Sequence, residues 1–553
     1  MDELSLVVRN ARIVDGSGLP GFHGDVGVKG DRIVAVGEVR AKGAMEIDAD
    51  GKVLAPGFID IHTHYDPQLC WDGMASPSPE HGVTTLVAGN CSLSLAPVRP
   101  GGQRKITSLF GVVEDLEADY FDAAVPYDWE TFGEYLDFIR PNLGPNVGVL
   151  VGHAALRLYV MGEDAQERAA SKAEIEEMCA LLREAILAGA LGLSLTYGHI
   201  DELGGELPTF YAEDAELTAL CQVMAQIGRG IVECAADFRS RRANLMLIDR
   251  LGALAERTGV TVSLSPILHT PHMGDAWLRQ LLRVESWRSR GVKLYVQTQT
   301  RPLDQAISLA RGSVALTKLP TWSSLLTLPM QERIVALADR SRWEVLDEEI
   351  KRARGFFDAL VVASVKAEAN KAFEGRKVTE IAQTTGRTYT EAMLEIALAD
   401  GLETEFEVKD FIHADPEAVS LLLTHPAVQI GSADAGAHVG QFSGAGDTCF
   451  LFEKFVRKLG YMSVEQAVQR LTSDLAGVWG LTDRGQIAEG RFADLVIFDP
   501  DTIARGPEIW QDDLPGGGGR FIRHAVGVHT VVVNGQVLVQ DGAYSDARPG
   551  RVV

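Results

Sequence analysis

Eight short apolar segments, each running into polar residues, constrain this chain more than any other feature. They are LAPGFIDIHTH, TTLVAGNC, NVGVLVGH, LGLSLTYG, GIVECA, TVSLSPILH, VKLYVQTQT and AVQIGSAD. Helical stretches such as SKAEIEEMCALLREAILAG and DAELTALCQVMAQIG lie between them. Eight strands alternating with helices is the count of a closed parallel barrel. The chain therefore reads as an α/β protein, a (β/α)8 TIM-type barrel. Catalytic groups of such barrels stand at the C-terminal strand ends. One polar strand end alone is ordinary turn chemistry; eight in register, several bearing His, Cys, Asp or Gln, point to a site.

The two ends of the chain have a different texture. LSLVVRNARIVDG, GDVGVKGDRIVAVG and AMEIDADGKVLAPG read as short strands with Gly and Asp turns. RFADLVIFDP and HTVVVNGQVLVQDG repeat that pattern near the other end, the second with an Asn-Gly hairpin signal. A small β-sandwich domain assembled from both termini is expected, with residues 1–55 and 485–553 flanking a barrel over 56–484. A total of 553 residues suits one large barrel with one small domain. Between strands seven and eight, residues 310 to 405 look helical, as in WEVLDEEIKRARGFFDALVV and TYTEAMLEIALADG. So long a connection reads as a helical insertion, either a lid over the barrel mouth or a decorative excursion. Gly516 to Gly519 read most simply as a flexible loop.

Composition excludes several classes of function. No apolar run approaches the length of a membrane span. Met-Asp-Glu-Leu-Ser lacks the basic stretch and apolar core of a signal peptide, so the cytoplasm is the default location. The net charge of −24 and the lack of a basic stripe argue against nucleic acid and for a small-molecule substrate. No phosphate-binding GxxxxGK[ST] loop is present. The six cysteines, at 70, 91, 179, 221, 234 and 449, are scattered, which suits free thiols in a reducing compartment. Assembly into a homo-oligomer stays open.

The sharpest motif is Gly57-Phe-Ile-Asp-Ile-His62-Thr-His64. Strand side chains alternate faces, so His62 and His64 point the same way, into the barrel. A lone buried histidine is usually a satisfied core residue, but two at this spacing can grip one divalent cation. Asp434 ends the eighth strand in Gly431-Ser-Ala-Asp434-Ala-Gly-Ala-His438. The eighth strand neighbours the first in a closed barrel, so this carboxylate can reach the same cation and take a proton from water. The alternative for Asp434 is a turn formed with Gly436.

With HTH after an apolar strand, GVTTLVAGNC, VGHAALR, the late SAD and LTDRGQIAEGRFADLVIFDP, the chain resembles the amidohydrolase superfamily, and within it the N-acyl-D-amino-acid deacylase (D-aminoacylase)-like group. The similarity runs over nearly the whole length. It implies amide hydrolysis on a barrel with zinc, one or two ions per chain, and implies that Cys91, after the second strand, is a further ligand. The sequence also departs from that family, which supplies a histidine after strand five and another after strand six. GIVECAADF offers Glu233 and Cys234 instead, with Ala235 near the expected position. TVSLSPILHT lacks the family's His-His-Lys run, and His269 comes a few residues late. An Arg-bearing segment expected after the late Asp is replaced by GQFSGAGDT, and no strand-four lysine is placed to bridge two ions.

Four further residues are candidates for the substrate pocket. His153 ends strand three and can polarise a carbonyl or act as a core histidine. Tyr197 follows strand four and can donate to an oxyanion. His269 follows strand six. Arg301, in QTQTRP, can clamp a carboxylate or bridge to the insertion. His438 is placed behind the ligands rather than among them. The expected activity is metal-dependent hydrolysis of an amide C–N bond other than a peptide bond, such as that of an N-acyl amino acid, with Asp434 as general acid and base. The rivals are hydrolysis of a carbamate, urea, lactam or lactone, and an inactive barrel kept as a binding scaffold.

Overall fold

Parallel pairing runs through all eight apolar segments in the computed structural model, which describes residues 4–114, 116–201, 205–237, 240–310, 316 and 319–553. The barrel strands are Phe58–Asp60, Val83–Ala88, Asn146–Gly152, Gly192–Thr196, Ile231–Ala235, Thr261–Ser265, Leu294–Thr298 and Val428–Ile430, hydrogen-bonded in chain order. Nearly every residue in them is buried, because helices cover the outside and side chains fill the inside. Between the eighth strand and the first, the ring is completed just beyond the regular strands. Thr63 bridges Ala435 in parallel, and the His64 amide donates to the Ala435 carbonyl at 2.8 Å.

The helices between strands follow from local chemistry. Lys172–Ala188 starts on a capping box, with the Ser171 hydroxyl accepting from the Glu174 amide, and stops at Gly189. It buries Met178, Leu182, Ala185 and Ile186, spaced at three and four residues, in the layer outside the strands.

The β-rich ends pair in one nine-stranded sheet. Its centre is the antiparallel pair Val53–Pro56 and Leu495–Phe498, in register from Leu495 opposite Pro56 to Phe498 opposite Val53. Val53–Pro56 leads straight into the barrel through Gly57. A Cβ there would come within 2.1 Å of the Thr84 hydroxyl oxygen, so only glycine lets the chain pass so close to the second strand. The Asn-Gly signal is a real hairpin: Asn534 and Gly535 both have positive φ, 46° and 80°, between Val528–Val533 and Gln536–Gln540.

Two regions differ from the sequence reading. The insertion between strands seven and eight contains helices, with its own apolar core, but also a three-stranded antiparallel sheet of Gln305–Ile307, Glu405–Val408 and Leu360–Ser364. The stretch read as one helix from Trp343 onward ends at Arg352, continues as a short turn of helix at Arg354–Phe357, and then becomes the strand Leu360–Ser364. Its apolar run is too short for periodicity to separate helix from strand, and Val361-Val362 favour strand. Residues 311–315 and 317–318 of this insertion, like 1–3 at the start, lie outside the described residues. The Gly516 to Gly519 stretch is not a loose loop but the tip of a hairpin formed by Ala504–Gln511 and Arg520–Val526. A Cβ on Gly518 would strike the Tyr120 ring at 2.3 Å, and one on Gly519 the Trp510 ring at 2.6 Å. Gly518 and Gly519 are there for close packing, while Gly516 and Gly517 take the positive φ of the turn, 74° and 85°. This hairpin is tied to the segment after the eighth strand: Arg505 bonds the Ser443 and Ala445 carbonyls, and the Phe521 amide bonds the Val439 carbonyl.

Candidate metal centre

His62 and His64 leave the end of the first strand on the same side, their rings 5.2 Å apart and inclined at 67°. Both are buried. The orientation of His62 is set from the seventh strand. Oε1 of Gln297 can only accept, so Nδ1 of His62 carries the proton and donates to it at 3.1 Å, which leaves Nε2 with a free lone pair. Gln297 is held in turn by Nε2 donating to Ser263 Oγ at 2.9 Å, and Ser263 donates to Gln429 Oε1. The interior of the barrel below the histidines is thus a polar network that fixes one ring tautomer.

Cys91 arrives from the second strand. Its Sγ lies 3.5 Å from His62 Nε2. One ligand atom from each of His62, His64 and Cys91 falls within 4.8 Å of the other two. Asp434 approaches from the eighth strand, with Oδ1 3.3 Å from His62 Nε2 and 3.8 Å from His64 Nε2. Its side chain keeps 24% of its surface exposed, against 2% and 1% for the two histidines, so it faces the open mouth. Cys91, Ser92, Ser432, Asp434 and His438 all have positive φ between 50° and 67°. Such backbone is costly for residues with a Cβ, and its clustering marks a place where geometry is imposed by the surroundings.

Two carboxylates stand behind these groups. Glu114 Oε1 is 3.3 Å from His64 Nδ1, and its Oε2 is 3.8 Å from His438 Nε2. Glu233, in the middle of the fifth strand, accepts from the Cys91 amide at 3.0 Å and lies 3.7 Å from His62 Nδ1. Burial pushes both carboxyls and the Cys91 thiol well up, and nearby negative charges add to that. Burial lowers His62 to about 4 and His64 to about 3, so both rings are neutral and able to ligate.

These residues fit a divalent cation. Both ring nitrogens of His64, and one oxygen each of Glu114 and Glu233, are buried without a hydrogen-bond partner. Native interiors seldom leave such groups unmet. Imidazole, thiolate and carboxylate donors converging on one point are the donor set of a zinc-type site.

The other candidate residues are placed elsewhere. Both nitrogens of His153 are engaged, with Thr209 Oγ1 at 3.0 Å and Glu216 Oε1 at 2.8 Å, and Glu216 also pairs with the buried Arg157. Tyr197 is buried, and its hydroxyl accepts from Arg250 at 3.0 Å. His269 lies edge-on to Trp277, and its amide donates to His413. Arg301 pairs with Asp447 at 2.9 Å, donates to the Ala433 carbonyl and lies over the Phe442 ring. Its ion pair is therefore with the segment after the eighth strand, next to Asp434. Cys234 is buried in the apolar core, and Ser265, at the end of strand six, bonds Ser432 Oγ at 2.6 Å.

Glu114 and Gln297 are neighbours that residue patterns did not single out, and Glu233 is marked there only as what strand five offers in place of the family's histidine. Glu233 and Gln297 do carry a signal, since each interrupts an otherwise apolar buried strand at an inward position. Glu114 follows the helix Gln103–Val113 and has no such mark.

The sequence profile of the amidohydrolase family matches residues 45–539. The D-aminoacylase of Alcaligenes xylosoxydans xylosoxydans is 28% identical over 557 residues, covering 99% of this chain and 97% of that protein. The N-acyl-D-glutamate deacylase of the same organism is also 28% identical, covering 100% of this chain and 97% of that one. Among solved structures, the N-acyl-D-glutamate deacylase of Bordetella bronchiseptica, complexed with zinc and a phosphonate mimic of the tetrahedral intermediate, superposes with a TM-score of 0.66 at 26% identity. It covers 100% of this chain and 99% of that one.

Proposed function

We propose, because this chain belongs to the amidohydrolase family, that its site hydrolyses the amide C–N bond of an N-acyl amino acid or a similar small amide. The observation that carries this reading is the meeting of His62, His64, Cys91 and Asp434 at one point at the open end of the barrel. His62 Nε2, His64 Nε2, Cys91 Sγ and Asp434 Oδ1 would hold the cation, with zinc favoured by the nitrogen and sulfur donors. When bound, a divalent cation supplies Lewis acidity toward water and toward an amide carbonyl.

The chain's own groups do the rest. Gln297 holds His62 with its lone pair turned to the site. Asp434, the exposed member, accepts a proton at Oδ2, the oxygen turned away from the histidines, as water oxygen bonds to the carbonyl carbon. It returns that proton to the amide nitrogen as the C–N bond breaks, leaving a carboxylic acid and an amine. Six cysteines without a disulfide support residence in a reducing compartment such as the cytoplasm. No described helix is long and apolar enough to cross a membrane.

One observation favours a second reading, a cyclic amide, carbamate, urea or lactone. Arg301, the candidate clamp for a substrate carboxylate, is already paired with Asp447. Turnover of a panel of N-acyl D- and L-amino acids, lactams, hydantoins and carbamates by the zinc-loaded chain separates the two. Activity confined to N-acyl amino acids supports the first, and activity confined to substrates without a free carboxylate supports the second.

A further inference from the structure

The turn that carries Cys91 needs an explanation that its own sequence does not provide. Cys91 and Ser92 have φ of 55° and 67°, although neither is glycine. Left-handed backbone is unfavourable for a residue with a Cβ. Two successive residues stay there only if neighbours hold them. On one side, Ser92 Oγ accepts from the Ala154 amide and meets Thr209 Oγ1 at 2.9 Å. On the other, the Cys91 amide donates to Glu233 Oε2 at 3.0 Å.

Glu233 does more than receive that bond. It is fully buried in the fifth strand, and its second oxygen has no hydrogen-bond partner. That oxygen stands 3.7 Å from Nδ1 of His62. One carboxylate thus touches the backbone of one candidate ligand and faces the ring edge of another. The fifth strand ends in Ala235, which has no donor side chain, so Glu233 is that strand's contribution to the centre.

We propose that Glu233 is the positioning residue of the metal centre: it fixes the Cys91 turn and packs behind the His62 ring, without itself ligating the cation. This rests on the reading of the site given above. A buried group that holds the backbone of one ligand and packs behind another fixes the geometry of the site, and losing such an outer partner weakens metal binding.

The test uses the full-length chain, loaded with cobalt(II) as a spectroscopic stand-in for zinc. Wild type, Glu233→Gln and Glu233→Ala are compared for cobalt affinity by chelator competition. They are also compared for the near-ultraviolet thiolate-to-cobalt absorption that reports the Cys91–metal bond. In Glu233→Ala, affinity falls about 10–100-fold and the thiolate band weakens. In Glu233→Gln, an amide oxygen still accepts from Cys91, so the band persists while affinity drops by a smaller factor. Wild-type affinity with an undiminished band in Glu233→Ala overturns the proposal. So does a Glu233→Gln chain whose ligand-field spectrum changes coordination number, since the carboxylate would then be a ligand. Should Glu233→Ala fail to fold, as judged by thermal melting, unchanged affinity in Glu233→Gln overturns it equally. A wild-type chain that takes up no cobalt overturns the metal reading itself, an outcome distinct from the others because in them the wild type binds.

Discussion

The Asp434 amide donates to the His62 carbonyl at 3.2 Å, and the same two residues meet again through their side chains, Oδ1 to Nε2 at 3.3 Å. The contact that joins the eighth strand to the first is therefore also the contact that brings the proposed general base to a candidate ligand. Closing the barrel and assembling the site are one event.

Asp434→Asn keeps the shape and the backbone bond but removes the proton acceptor. Turnover is expected to fall about 10²–10⁴-fold, with KM changed far less and the cation largely retained. Steady-state kinetics and elemental analysis of the same preparation check this.

Much of this was legible in residue order. The eight strands stood out because each is apolar along its length, and His62 and His64 because strand alternation aims residues two apart at one face. Asp434 followed from the adjacency of first and last strands in a closed ring. What could not be read depends on long-range packing. Glu114 comes to His64 from beyond a helix, and its sequence neighbours give no hint of burial. Leu360–Ser364 is a strand because Glu405–Val408 lies beside it, a partner more than 40 residues away. Gly518 and Gly519 read as part of a flexible run because Tyr120 and Trp510, which fill the space beside them, are invisible in the sequence.

His153 is expected to act on stability rather than on substrate. It sits in a buried chain running from Arg157 through Glu216 to His153, Thr209 and Ser92. Glu216→Ala leaves Arg157 buried without its ion-pair partner and should destabilise the fold by about 3–5 kcal/mol. Denaturant midpoints read that loss, and KM of the surviving folded enzyme should stay near wild type.

Arg301 offers a similar distinction. Arg301→Ala strips Asp447 of its cation and removes a donor to the Ala433 carbonyl, one residue before Asp434. A loss of about 3–5 kcal/mol in stability with a fall in kcat is expected. A selective rise in KM for substrates bearing a carboxylate, with stability intact, would instead assign it to substrate binding.

Acid should weaken the fold through two buried histidines outside the centre. Burial lowers His81 and His413 from the ordinary 6.5 to about 4. In each, one ring nitrogen donates to a carbonyl, of Arg523 and of Gln299, so the neutral form is the one housed. Below pH 6.5 the unfolded chain takes up a proton that the folded chain refuses, so stability is full above that value and falls as pH drops toward about 4. Each group contributes about 1.4 kcal/mol per pH unit across that window. Urea midpoints measured through it should decline, and less steeply for His413→Gln.

The most direct test of the central claim is the metal content and amide-hydrolysing activity of the wild-type chain before and after chelation, with His62→Ala alongside. Wild-type protein is expected to hold a divalent cation, and chelation to abolish turnover. Zinc is expected to restore turnover in wild type, while His62→Ala neither retains the cation nor responds to it. Full turnover by chelated, metal-free protein, or by His62→Ala, would contradict metal-dependent hydrolysis at this site.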